Sequence, residues 1–408
     1  MIPFSPPRID DRTIKAVEDA LRSGWITTGP RTKEFERKLA AYCGVERMVA
    51  LNSWTNACEL VLRWYGIGPG DEVIIPAYTY CATANIVMHV GAKPVLVDVL
   101  DDLTMDPEAV RKAITARTKC IIPVDIGGLP ARMREIMRIA EDACILFTPA
   151  VNLRVAGSNP QMRLGRPLVL SDAAHSFGAR IDGKTLGTQA DITGFSFHAV
   201  KNLTTAEGGA LAFHLPQPFE LEELYTFFNT MSLHGQSKDA LAKTQPGAWR
   251  YDVAFPGYKC NMTDLQAAIG LVELDRYDTE TLPRRKAICA RYQSAFEGDD
   301  RFVLPILRDP ERETSYHLYM LRIAKATEEQ RDAIITAIAA HQVSVNVHFI
   351  PLPMLSFYKG QGHRMADFPN AYQQYAREIS LPVYYDLSDA QVDEVIAVVK
   401  QAVSEVMG

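Results

Sequence analysis

Lys201 stands inside the stretch Gly194 to Phe213, GFSFHAVKNLTTAEGGALAF, between an alternating aromatic run (Phe195, Phe197) and a Thr-rich Gly-Gly segment that leads into another apolar run. A solvated loop lysine is the ordinary reading of such a residue. Its surroundings argue for chemistry. Asp172 closes a buried-looking run in Ser171-Asp-Ala-Ala-His175, 29 residues earlier. It could be a plain strand-end or capping aspartate, but an acid at the C-terminal end of a strand in an open α/β sheet sits where such sheets bind ligands. Ser196 and the glycines flank the lysine, and an earlier turn, Asn52-Ser53-Trp54-Thr55-Asn56, opens a helix.

The combination is informative. A lysine that can link covalently to a carbonyl, a carboxylate for a pyridinium nitrogen, and N–H or hydroxyl donors for a phosphate are the set that pyridoxal phosphate requires. A competing phosphate motif also exists: Gly178-Ala-Arg-Ile-Asp-Gly183-Lys184-Thr185 matches G-x-x-x-x-G-K-T, the loop of a P-loop nucleotide hydrolase. Such a loop must open a helix, yet Leu186-Gly187 follows with no helical stripe. Asp182-Gly183 reads instead as a hairpin turn.

Positioning these residues needs a sheet. Short apolar runs at 71–76 (DEVIIP), 94–99 (PVLVDV), 119–124 (KCIIPV) and 167–171 (PLVLS) read as buried strands, with helical periodicity at 55–65 and 106–115 between them. The alternation predicts an α/β fold with a large, mostly parallel sheet covered by helices. An insertion-like segment spans 145–166. After Asp264 the pattern changes to a helix at 263–276, further helix through 284–291, strand at 318–324, helix at 327–341, strand at 343–349 and a final helix at 389–407. We therefore expect residues 1–255 to form the large domain, with an N-terminal arm, and 256–408 to supply connecting helices and a smaller C-terminal α+β domain.

Composition narrows the function classes. The 408 residues, 47% hydrophobic with 43 basic against 49 acidic side chains, carry a formal net charge of −6. That balance offers no electrostatic footprint for nucleic acid or an anionic membrane surface. No apolar run approaches the ~18 residues of a membrane span. The start, MIPFSPPRIDDR, lacks a basic segment followed by an apolar one, and a cytoplasmic location is the expectation. Seven scattered cysteines form no C-x-x-C pair and suggest reduced thiols. His198 and His348 are joined by no metal-ligand spacing, so no metal is expected; His348 could line a substrate site.

On these motifs the sequence resembles the DegT/DnrJ/EryC1/StrS sugar aminotransferases, pyridoxal-phosphate enzymes of fold type I. The likeness runs through IPFSPP, SGWITTGP (23–30), GIGPGDEVIIPAYTYCATAN (66–85), ITARTKCIIPV, SDAAHSFGA (171–179), FSFHAVKNLTTAEGG (195–209), GYKCNMTDLQAAIG (257–270) and the late VHF-P and SLP segments. The resemblance implies that Lys201 carries the cofactor, that Asp172 pairs with the pyridinium nitrogen, and that His175 bonds the cofactor's 3′-oxygen. It implies Tyr80 as the ring-stacking aromatic and Thr55, Asn56 and Ser196 as phosphate ligands. Asn261 matches a residue that reaches the phosphate from a neighbouring subunit, which would make the active unit a homodimer with its site at the interface. Gly257-Tyr-Lys259-Cys-Asn261-Met carries cysteine where that version of the loop has tyrosine, and leaves Lys259 and Asn261 as alternatives for the contact. Asp125 stands where histidine is frequent. Trp25 and Thr28 could be turn packing or substrate wall.

The same resemblance implies transamination with L-glutamate as donor and a nucleotide-linked keto sugar as acceptor. The first expectation is C4 amination of a UDP-linked 2-acetamido-4-keto-6-deoxyhexose for surface polysaccharide or glycan synthesis. The runner-up is a dTDP- or GDP-linked sugar aminated at C3 or C4.

Overall fold

The computed structural model describes residues 1–151, 153, 155, 157–237 and 249–408. Its main sheet is built from β1 (Met48–Leu51), β2 (Glu72–Pro76), β3 (Lys93–Val97), β4 (Thr118–Ile121), β5 (Leu168–Asp172), β8 (Ile192–Ser196) and β9 (Gly209–Phe213), the two-residue strands β6 (Arg180–Ile181) and β7 (Lys184–Thr185) lying outside it. The order is β1-β9-β8-β5-β4-β2-β3. β9 alone runs antiparallel to its neighbours; every other pair is parallel. Parallel strands need helical crossovers, so both faces are covered and the strands read as unbroken apolar runs. The pleat still sorts them. Val73 and Ile75, Leu168 and Leu170, and Leu211 and Phe213 face the core that holds helix Trp54–Trp64. Ile74, Val169, Ala210 and Ala212 face the opposite core, with helices Pro30–Cys43 and Met133–Asp142.

A second, antiparallel sheet joins Phe302–Val303, Tyr319–Ile323 and Glu378–Leu381. Helices Leu282–Phe296, Glu328–Ala340 and Asp389–Met407 pack over it. Ile2 enters this core and bridges Val343, so the N-terminal arm crosses to the far unit. Helix Asp264–Asp275, opened by a capping box of Thr263 and Gln266, packs instead on helices Asp11–Arg22 and Pro30–Cys43 beside the large sheet.

Two sequence expectations are corrected. The segment 343–349 is not a strand: only Val343 and Asn346 make isolated bridges. Three of its other backbone groups turn to side chains, with Asn346 Oδ1 accepting from Val347 N–H, Glu378 from His348 N–H, and Tyr78 donating to the His348 carbonyl. The P-loop alternative also fails. Arg180–Ile181 and Lys184–Thr185 form a hairpin whose turn residues Asp182 and Gly183 have φ of 51° and 75°, with no helix following. In the insertion-like segment, buried Gln161 donates to the Tyr65 carbonyl at 2.8 Å and accepts from Ala150 N–H; residues 152, 154 and 156 of that stretch lie outside the described residues.

Candidate active site

The parallel strands deliver their C-terminal ends to one crevice. β5 ends at Asp172 and β8 at Ser196, adjacent strands in register with Asp172 opposite Gly194. The connection from β8 to β9 folds back on itself: Phe197 N–H donates to the Gly208 carbonyl at 2.8 Å and Thr205 N–H to the Phe197 carbonyl at 2.9 Å. Within that closed loop Lys201 N–H donates to the His198 carbonyl, and the Lys201 side chain lines a cavity of about 410 Å³. Ser53, Trp54, Thr55, Tyr80, Thr83, Asp172, His175, Ser196, His317 and His348 share its wall.

Burial sets the electrostatics. Asp172 is buried, and desolvation raises its carboxyl to about 6 against the opposing hydrogen bonds and the Lys201 charge. Its Oδ2 accepts from the Thr83 hydroxyl at 2.8 Å and its Oδ1 from Ala174 N–H at 3.2 Å. Lys201 moves the other way: desolvation lowers its amine to about 8, partly offset by Asp172. His175 accepts from Gly127 N–H on Nδ1 at 3.2 Å, so its proton sits on Nε2, and burial with Lys201 nearby keeps the ring neutral. Behind Asp172 lies Asp125, buried and raised to about 7 by desolvation, accepting from Ser176 Oγ at 2.6 Å and Ala131 N–H at 2.8 Å. Asp125 therefore braces the turn that carries His175.

Helix Trp54–Trp64 starts at the cavity. Ser53 Oγ caps Asn56 N–H and the Ser53 carbonyl takes Ala57 N–H, so the Trp54 and Thr55 N–H groups form the open end, beside Ser196. Asn56 itself points back, its Nδ2 donating to Asn52 Oδ1 at 2.8 Å. Tyr80 is 57% exposed on the wall with its ring 5.4 Å from Phe349. Trp25, Thr28 and Asn261 do not line the cavity but form a hydrogen-bonded cluster next to its helix end, where Asn261 bridges Leu51 and Asn52 N–H donates to the Cys260 carbonyl. Trp25 Nε1 donates to the Thr28 carbonyl, Asn261 Nδ2 to Thr28 Oγ1, and Lys259 Nζ to Asn261 Oδ1.

Two wall residues escaped the sequence reading. Thr83, one turn into the helix after Tyr80, holds Asp172, and i to i+3 spacing on that helix was the available signal. His317 lies 4.5 Å ring to ring from His175 and shares a hydrogen bond with Asn202 Oδ1, next in chain to Lys201. Nothing in local spacing announces a pairing across more than a hundred residues.

The residues present fit pyridoxal phosphate. A helix N-terminus with a hydroxyl beside it suits a dianionic phosphate, a buried acid below the cavity suits a protonated pyridine, and a buried amine of lowered pKa suits a carbonyl. The approach of sheet to helix is correspondingly tight: a Cβ at Gly209 would stand 2.4 Å from the Trp54 backbone nitrogen.

Fold and site together define a pyridoxal-phosphate-dependent aminotransferase of fold type I. The chain belongs to the DegT/DnrJ/EryC1/StrS aminotransferase family, matching it over residues 7–148 and 166–400, on either side of the insertion-like segment. Among solved structures, Spr1654 of Streptococcus pneumoniae, described as a candidate sugar aminotransferase, is 46% identical in its PMP form with a TM-score of 0.94, each chain covering 100% of the other. Its PLP form is 44% identical with a TM-score of 0.93 and the same coverage. SpsC, a spore coat polysaccharide biosynthesis protein of Bacillus subtilis, is 39% identical over 407 residues, 98% of this chain and 97% of SpsC.

Proposed function

We propose that this aminotransferase moves an amino group from L-glutamate to a nucleotide-linked keto-deoxy sugar. The acceptor we assign is C4 of a UDP-linked 2-acetamido-4-keto-6-deoxyhexose destined for surface polysaccharide or glycan. The observation that carries the reading is the convergence of Asp172, His175, Ser196 and Lys201 on one cavity beside a helix N-terminus. The sugar class is supported by the 46% identity to Spr1654 and the polysaccharide role by SpsC. The C4 preference rests on the GYK-x-N loop and the Asp172-Ala-Ala-His175 motif.

Bound pyridoxal phosphate supplies an electron sink conjugated to the substrate nitrogen. The chain supplies the rest. Lys201, half neutral near pH 8, would hold the cofactor and, once freed, serve as the base that takes the proton from the substrate carbon, a role worth ~10²–10⁴-fold in rate. Asp172, fixed by Thr83 and Ala174, would pair with the ring nitrogen of the bound cofactor and keep it protonated. His175, with Nδ1 taken by Gly127 N–H, would offer its Nε2–H to the cofactor's 3′-oxygen. Thr55 and Ser196 would take the phosphate together with the open helix N-terminus, and Tyr80 would lie against the ring; Asn56, expected there from the sequence, instead gives its N–H to Ser53 and its side-chain amide to Asn52.

Asn261, or Lys259 beside it, reaches the phosphate of a neighbouring subunit in a homodimer, and Trp25 and Thr28 form part of the substrate wall. The absence of Asn261 and Lys259 from the lining of this chain's own cavity supports the cross-subunit placement. His348, which lines the same cavity, meets the sugar.

The deciding experiment is the absorption spectrum of the protein with pyridoxal phosphate, before and after L-glutamate, for wild type and Lys201→Ala. A lysine-linked band that glutamate converts to the pyridoxamine form, missing in the variant, is expected. No cofactor band in reconstituted wild type would sink the reading. A panel of UDP-, dTDP- and GDP-linked keto sugars then tests the acceptor.

A further inference from the structure

His348 is fixed by contacts that leave one ring nitrogen for the cavity. Its backbone N–H donates to Glu378 Oε2 at 2.9 Å, Tyr78 Oη donates to its carbonyl at 2.7 Å, and its Nδ1 lies 2.9 Å from Ser380 Oγ. Ser380 Oγ in turn bonds Glu378 Oε1, and both residues are fully buried in strand Glu378–Leu381. An unbroken chain of hydrogen-bonding atoms therefore runs from the imidazole through one hydroxyl to a carboxyl shut off from solvent. Phe4 stacks on the imidazole at 5.4 Å, and the ring lines the same cavity as Lys201.

We propose that His348, Ser380 and Glu378 form a proton relay in which His348 Nε2 takes a proton from the ammonium group of the amino donor and Glu378 stores it. The proposal rests on the aminotransferase reading above. In the receiving state Glu378 is a carboxylate, the Ser380 hydroxyl donates to it, Nδ1–H donates to Ser380 Oγ, and Nε2 presents a lone pair. The ammonium N–H bond breaks as the Nε2–H bond forms. Nδ1 passes its proton to Ser380 Oγ, and the former hydroxyl proton passes to Glu378. The amine is left neutral, the carboxylate becomes a neutral acid, and the imidazole ends uncharged as its other tautomer. The reverse transfer re-protonates the departing nitrogen.

Charge explains why a relay suits this place better than a lone histidine. Burial and the Lys201 cation push the His348 imidazole down to about 3, so it holds no stable positive charge, and His175 and His317 stand near it. Glu378 has the opposite bias: desolvation lifts it to about 8, despite Arg331, Arg322, the Ser380 hydroxyl and the His348 N–H, while Tyr78 also faces it. A proton can cross the ring and come to rest on the acid without an imidazolium beside Lys201. His348 is then the catalytic residue; Ser380 and Glu378 are positioning and storage groups behind it.

The test reads the tautomer directly. Ring ¹⁵N spectra of the cofactor-loaded protein, with His348 assigned by its loss in His348→Gln, are followed from about pH 6 to about pH 10. The expected result is Nε2–H at low pH giving way to Nδ1–H near pH 8 in wild type, and a single pH-independent tautomer in Ser380→Ala and Glu378→Gln. In the glutamate half-reaction the same two variants are expected to lose about tenfold or more in rate constant with donor binding changed less than about threefold, and Ser380→Thr to restore the rate. One tautomer throughout in wild type, or unchanged rates and pH profile in Ser380→Ala and Glu378→Gln, would overturn the relay. Wild type that shows the pH switch but never reaches the pyridoxamine form overturns the donor reaction and with it the relay's role, whereas normal conversion without a switch overturns the relay alone.

Discussion

Gly209 lies directly beneath the Trp54 backbone nitrogen: a Cβ at this glycine would come within 2.4 Å of that nitrogen and 2.5 Å of the Ser53 carbonyl carbon. β9 is pinned from both sides, with Gly209 opposite Leu51 in β1 and Ser196 in β8, so it cannot withdraw. The helix end must move instead. Gly209→Ala is therefore expected to weaken pyridoxal phosphate binding, by displacing the Trp54 and Thr55 N–H groups, and to cost about 1–3 kcal/mol of stability. Cofactor titration and thermal melts of the cofactor-free protein measure the two effects separately. Unchanged affinity would show that the phosphate does not sit at this helix end.

Asp172→Asn keeps the shape of the side chain and its contact with Thr83 while removing the negative charge. The pyridine nitrogen then loses the partner that keeps it protonated. We expect cofactor still to link to Lys201, with the glutamate half-reaction slowed on the order of a hundredfold or more. Single-turnover absorbance checks this, and a loss under about threefold would remove Asp172 from that role.

Lys201 at about 8 rather than the ordinary lysine value has a kinetic signature. Only the neutral amine attacks a carbonyl, so capture of pyridoxal phosphate by cofactor-free protein should rise with pH and level off just above pH 8. An unperturbed lysine would keep gaining until about pH 10.4. Because the Asp172 charge holds the lysine pKa up, Asp172→Asn should move the plateau to lower pH. Stopped-flow capture rates decide it, and a plateau near the ordinary lysine value would contradict the buried site.

The large sheet was readable because its strands are apolar on both faces, and that continuity survives in a bare sequence: β2, β3, β4 and β5 fall within two or three residues of their expected positions. Asp172 was legible for a related reason, since it ends such a run, and Lys201 because it stands between two of them. The small unit was less so. Glu378–Leu381 is four residues long and opens with a charged side chain, and 343–349 has strand-like alternation yet makes only isolated bridges at Val343 and Asn346 and turns the Val347 N–H, His348 N–H and His348 carbonyl to Asn346, Glu378 and Tyr78 side chains. His317 and Thr83 became visible only once the chain had brought distant segments together.

Trp25, Thr28 and Asn261 hydrogen-bond to one another without lining the cavity that their own chain builds around Lys201, although Asn261 bridges Leu51, two residues before Ser53 on its wall. If Asn261 completes a partner's site, a homodimer of two differently damaged chains can rebuild one working site. Lys201→Ala removes the amine from its own chain's cavity, and Asn261→Ala removes the contact lent to the partner's. In the mixed dimer both defects meet in the site built around the Lys201→Ala chain, because its partner lends the altered Asn261. The other site pairs an intact Lys201 with an intact Asn261. Random re-association of equal amounts is then expected to restore about a quarter of wild-type activity from two variants that are each severely impaired alone. Activity assays after mixing and subunit exchange, with dimer formation followed by light scattering, provide the measurement. No recovery in a mixture that does form mixed dimers would assign Asn261 to the folding of its own loop, with Lys259 as the next side chain to substitute.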